Sequence, residues 1–97
     1  MSSNFTVFHQ NNKHAAELFY DLLARAEADA YDDDFLTLLA AYREEEDSER
    51  ADIFAAEYLL ANGDAENAIL CGERAFHRRP VEPRIWSVLS RAYAAAR

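Results

Sequence analysis

Glycine and proline are scarce in these 97 residues, with two of each, and there is a single cysteine. So few turn-formers exclude an all-β chain of many short strands, which needs a glycine, proline or asparagine cluster at every reversal. One cysteine excludes an internal disulfide, so packing alone must hold the fold. No basic opening followed by a long apolar stretch marks Met1–Asn12 as a leader, and the most apolar run, Phe35–Tyr42, is far too short to span a bilayer. Cytoplasmic residence is the expectation.

Hydrophobic residues make up 51% of the chain and aromatics 12%, enough for one core in a single domain of 97 residues. Alanine, leucine, glutamate and arginine dominate, the composition of helices joined by short turns. The fold class expected is all-α, antiparallel hairpins from about five helices. The net charge of −8 is unevenly spread. Residues 1–73 carry a balance of −13, and residues 74–97 a balance of +5, with six arginines facing only Glu82. An electrically polar molecule follows from that distribution.

Phe5, Val7 and Phe8 precede Gln10-Asn11-Asn12, whose asparagines suit a helix N-terminus, so a first helix is predicted from residue 12 or 13 to about Asp29. Its apolar residues Ala15, Leu18, Phe19, Leu22, Leu23 and Ala26 step by three and four and draw one stripe. Asp32-Asp33-Asp34 reads as the cap of a second helix over 33–46, and it lacks the glycine and distal glutamate of a calcium loop. Glu44–Asp47 places four acids where the second helix ends, against its dipole, with Arg43 and Arg50 as partial neutralisation. A third helix over 48–61 ends at Asn62-Gly63, with Asp64 capping a fourth over 65–79. That fourth helix shows Ala65, Ala68, Ile69, Gly72, Ala75 and Phe76 on one side and is closed by Pro80, and Pro83 opens a fifth.

The fifth helix carries Trp86-x2-Leu89-Ser90-x2-Tyr93, and upstream stand Ala68, Ala75 and Pro80. Over residues 49–97 these resemble the tetratricopeptide repeat, a 34-residue helix-turn-helix unit with the pattern W-x2-L-G-x2-Y, A-x3-F and a closing proline. Departures are visible. The Trp motif shifted back 34 residues falls on Asp52, Ala55, Ala56 and Leu59, Gly72 stands where an aromatic is expected, and a further shift to Leu18, Asp21, Leu22 and Arg25 does not fit. Residues 12–47 are then a divergent or capping hairpin, 48–82 a repeat, and 83–97 the first helix of a further repeat or a cap. The resemblance implies a short solenoid with Trp86 and Tyr93 as packed core.

It also implies a non-catalytic protein-binding scaffold, whose first helices line a concave groove for an extended or helical peptide. Arg84, Ser87 and Arg91 share one face of the fifth helix, and the positions 34 earlier are Arg50, Ile53 and Glu57. Arginine forks suit carboxylates, so an acidic peptide or a terminal carboxylate is the expected partner. The bland reading of the same arginines is a solvated face balancing the acidic half. The lysines and asparagines with which one branch of the family clamps chaperone tails are not at the matching places.

The rival reading is an accessory or oligomerisation domain of a larger enzyme. Self-association through Ile85, Val88 and Ala92 of the fifth helix is a third reading, because they make that helix apolar widely around its axis, and the chain stops where a partner helix is expected. Arg74, His77, Arg78, Arg79 and Arg84 form a basic patch too short to make nucleic acid the expected partner of an acidic chain. His9, His14 and His77 share no metal-ligand spacing, no glycine-rich phosphate loop is present, and Cys71 near Arg74 reads as a small core residue before a reactive thiol. No metal, cofactor or catalytic residue is expected.

Overall fold

The computed structural model describes the backbone of residues 2–97 and the side chains of residues 13–97. Five helices follow one another: α1 (Ser2–Glu27), α2 (Asp33–Glu45), α3 (Glu49–Ala61), α4 (Ala65–Arg78) and α5 (Pro83–Ala95). Four match the boundaries expected from caps and prolines to within a residue or two. The first does not, because α1 starts at Ser2 and runs through the asparagines expected to cap it. The side chains of Phe5, Val7, Phe8, His9 and Asn11-Asn12 lie outside the described residues. No described helix is long and apolar enough to cross a membrane.

Local chemistry sets each hairpin turn. At the end of α1, Asp29 takes the left-handed conformation (φ 55°). Ala30 N–H donates to the Arg25 carbonyl at 2.8 Å and Asp29 N–H to that of Ala26 at 3.1 Å. Gly63 does the same at the end of α3 (φ 86°), with Asp64 N–H on the Leu59 carbonyl at 2.8 Å and Gly63 N–H on that of Leu60 at 3.1 Å. These are paired Schellman closures, which satisfy the last carbonyls of each helix. The two left-handed residues are 34 positions apart. Asp32 then caps α2 by accepting from Phe35 N–H at 3.0 Å, and Asp64 caps α4 by accepting from Asn67 N–H at 3.2 Å. Asn62 Nδ2 donates to the Tyr31 carbonyl, so the two turns lie together at one edge.

Packing follows the same order at both junctions. Contact is widest within a hairpin (α1 with α2, α3 with α4), next between its second helix and the following first helix, and least between successive first helices. Among the described residues the backbones of α1 and α2 make no close contact with those of α4 or α5, which is the nearest-neighbour packing of a solenoid. One core joins α1, α2 and the near side of α3 through Leu18, Leu22, Phe35, Leu39, Tyr42 and Phe54. A second joins α3, α4 and α5 through Ile53, Ala75, Ile85 and Leu89. Helix α3 stands between them, and Ala51, Asp52, Ile53, Phe54, Ala56 and Glu57 are all buried.

The buried Asp52 stands where the repeat pattern asks for a large aromatic. Its Oδ1 lies 3.2 Å from Arg43 Nη2 of α2 and 3.2 Å from Arg74 Nε of α4, and its Oδ2 lies 3.7 Å from Arg78 Nη1. That Oδ2 is fully buried without a hydrogen bond among the described residues; the third guanidinium reaches it through charge alone. A buried carboxylate is tolerable only when so paired. The acidic run also finds its partners here, because Asp47 lies 3.5 Å from Arg43 and 3.5 Å from Arg78, and Glu46 accepts from the Tyr42 hydroxyl at 2.8 Å. Arg79 pairs with Glu49 at 3.6 Å. The sequence's charge asymmetry is therefore folded back on itself, and the basic patch expected around Arg74, Arg78 and Arg79 is largely neutralised.

Candidate functional site

Two open concavities flank α5, and they differ in chemistry. The first lies on the face shared by α1, α3 and α5, and it holds about 190 Å³ between Phe19, Arg50, Ile53, Phe54, Glu82 and Arg84. Its guanidiniums are stacked on rings. Arg50 Cζ lies 5.0 Å from the Phe19 ring centre and Arg84 Cζ 5.3 Å from that of Phe54. Arg84 Nη2 also donates to both oxygens of the buried Glu57 carboxylate, at 2.7 and 2.9 Å. That pair spends most of the Arg84 charge inside the protein.

Of the six residues expected to line a groove, Arg50, Ile53 and Arg84 border this cavity, and Glu57 stands behind it as the partner of Arg84. Ser87 and Arg91 are exposed further along α5 and do not line it; Arg91 Nε donates weakly to the Ser87 carbonyl at 3.4 Å. Ile53 is buried in the second core and offers the cavity only its edge, so it is not the exposed apolar contact expected. Among the described residues neither Arg50 nor Arg91 forms an ion pair. Phe19, absent from the expected set and only partly buried, supplies the apolar wall, and the buried Phe54 lies beneath the Arg84 guanidinium at its base. For Phe19 the signal was present, because the same 34-residue step carries Ser87 to Ile53 and Ile53 to Phe19.

The second concavity, about 530 Å³, opens between α4 and α5, where Trp86, Leu89, Ser90 and Tyr93 face Phe76 and His77. The Phe76 and Trp86 rings meet edge to face, 5.1 Å apart at 80°. Tyr93 donates its hydroxyl hydrogen to Glu73, which with partial burial raises the phenol pKa above its ordinary value. Two expectations are corrected here. Trp86 and Tyr93 are not packed core but 56% and 46% exposed, because no described helix covers their side of α5. Ile85, Val88 and Ala92, expected to be open for self-association, are instead fully buried against the hairpin formed by α3 and α4.

Cys71 is half-buried on α4 with its Sγ 3.7 Å from Arg74 Nη2, and that guanidinium is engaged by Asp52. His14 and His77 are both exposed on different helices. The sequence matches no family model, and no curated protein or solved structure is significantly similar to it.

Proposed function

We propose that this chain is a protein-interaction scaffold of the tetratricopeptide kind, which binds a peptide segment on the face shared by α1, α3 and α5. The observation that carries the reading is the cavity walled by Phe19 over the buried Phe54, with Arg50 at its mouth stacked on a ring and without an acidic partner among the described residues. A guanidinium held flat on an aromatic is pre-oriented, so little side-chain entropy is lost when it takes a carboxylate. Repetition supports the family. The turn at Asp29 recurs at Gly63, and positions 19 and 53, one repeat apart, face one cavity.

The peptide class is narrower than the arginine content alone suggested. Glu57 neutralises Arg84 and Glu82 stands on the rim, so the site does not select a highly acidic tract. It suits one apolar side chain in the cavity with a single carboxylate beside it for Arg50, and Arg91 further along α5 can take a second. Short peptides combining an aromatic or leucine with a neighbouring aspartate, read by calorimetry, test this. Arg50→Glu is expected to weaken binding about tenfold or more, given the worth of a charge-assisted hydrogen bond. Glu57→Gln, which releases Arg84, is expected to tighten it. Binding indifferent to both substitutions would remove this face from consideration.

A further inference from the structure

Phe19 and Arg50 also wall another cavity, of about 180 Å³, between α1 and the end of α2. The rest of its lining is Ala15, Ala16, Tyr20, Tyr42 and Glu46, none of which borders the cavity that holds Ile53 and Arg84. The stacked pair of Phe19 and Arg50 is therefore a ridge between two pockets. Three rings supply the apolar part of the second pocket. Phe19 meets Tyr20 edge to face at 5.3 Å, and its ring centre lies 6.2 Å from that of Tyr42.

Glu46 supplies the charge of this pocket, and its carboxylate is held in place. The Oε2 atom accepts from the Tyr42 hydroxyl at 2.8 Å and from the Ser48 hydroxyl at 3.2 Å. Ser48 is the N-cap residue of α3, yet its side chain caps no amide of that helix, because the hydroxyl is turned to Glu46. Both donors are neutral, so the carboxylate charge is not cancelled. Among the described residues Glu46 forms no ion pair, and Arg50, the other charged residue of the lining, does not reach it.

We propose that this pocket takes a lysine or arginine side chain of the bound peptide, which rests on the reading of the neighbouring cavity as a peptide site. Ring faces are negative and attract a cation, and a half-buried carboxylate beside them attracts it further. An anion would be repelled by both, and an apolar side chain would strip water from Glu46 without replacing its hydrogen bonds. Arg50 alone opposes a cation here, and the peptide carboxylate that Arg50 takes cancels that opposition. The two ligand charges therefore bind in a coupled way. Because Arg50 stands on the ridge, the order of subsites fixes the order along the peptide: an apolar residue over Phe54, an acid at Arg50 and a base at Glu46. The partner is a charge-balanced segment whose acid stands between an apolar residue and a base.

Calorimetry tests this with peptides acetylated and amidated at their ends, so that every charge belongs to a side chain. A peptide with leucine, aspartate and lysine in that order, with and without glycine spacers, is expected to bind about tenfold more tightly than one with glutamine for lysine, as a charge-assisted hydrogen bond does. Glu46→Gln, which still accepts from Tyr42 and Ser48, is expected to abolish that advantage while leaving the affinity for the glutamine peptide nearly unchanged. Tyr20→Ala, at a position 65% exposed, is expected to reduce the advantage without cost to the fold. Placing leucine between the two charges is expected to remove it. Peptides that respond to Arg50→Glu but bind equally with lysine or glutamine overturn the cation pocket and leave the peptide site standing. A lysine advantage that persists in Glu46→Gln does the same. Peptides indifferent both to Arg50→Glu and to lysine overturn the two readings together.

Discussion

Asp52 shows what one residue can do when its neighbours supply the charge. On the central helix, where the related pattern would place an indole, it draws guanidiniums from α2 and α4 to one point. The consequence is an ionic pin through three helices in place of an apolar one. Asp52→Ala is expected to destabilise the fold by about 1–3 kcal/mol, less than the loss of one partner of a fully buried pair, since the three arginines it releases keep a third or more of their surface in water. Chemical denaturation read by circular dichroism measures it, and a loss below about 1 kcal/mol would mean that the arginines gain as much from water.

Tyr42 makes a second residue-scale prediction. Burial, with the hydrogen bond its hydroxyl donates to Glu46, pushes its pKa up from 10.0 to about 12. The folded chain then holds a proton that the unfolded chain has released, so the stabilisation is complete below pH 10.0 and is lost as pH climbs towards 12. At about 1.4 kcal/mol per pKa unit, roughly 2 kcal/mol is lost over that window. Tyr31, raised by burial and by the nearby Glu57 charge, adds in the same direction. A stability profile from pH 8 to 12 should slope downward above about 10, more gently in Tyr42→Phe.

Among the helices, the close contact of α4 and α5 depends on a missing side chain. A Cβ placed on Gly72 would sit 2.7 Å from Leu89 Cδ2 and 3.0 Å from its Cγ. Glycine costs a helix about 1 kcal/mol against alanine, a cost offset here by letting Leu89 lie against the α4 backbone. Gly72→Ala alone is expected to be neutral to destabilising by about 1 kcal/mol, since relief of the helix penalty competes with overpacking. In a Leu89→Ala background the clash is gone and the same change should stabilise by about 1 kcal/mol. A double-mutant cycle without that change of sign would place the two helices further apart. The contact also accounts for the departure from the expected aromatic at this position: an aromatic here would collide with Leu89.

The helix ends were the most legible part of the sequence. Asp32, Gly63, Asp64, Pro80 and Pro83 each act through their own backbone or the next turn, so their effect needs no distant partner. The start of α1 was misread because asparagine is only a permissive cap. Nothing in the local sequence forbids the helix from continuing back to Ser2.

Across the whole molecule, α3 packs on both hairpin neighbours, whereas α1 and α5 each pack on one side. Stability in such a stack is the sum of units and their interfaces. Native-state hydrogen exchange should therefore find its slowest amides in α3, with α5 opening at lower free energy. Equal protection in all five helices would mean that the stack unfolds as one cooperative block. The same geometry explains why α3 is buried nearly all round and lacks the clear polar face of a surface helix.

Sequence alone determined the helix count and the turns, because these follow from backbone chemistry and from periodicity within one segment. The 34-residue step that the repeat resemblance implies put Arg50 and Arg84 on one face, and both line the same cavity. Which charges remain free was decided only by tertiary structure. Glu57 lies 27 residues from Arg84 and Asp52 lies 26 from Arg78, and no local pattern pairs them. Tertiary structure likewise decided which side of α5 is open. A helix with apolar residues on two sides can be buried on either, and the packing of α3 and α4 covers Ile85, Val88 and Ala92 while leaving Trp86 and Tyr93 in water.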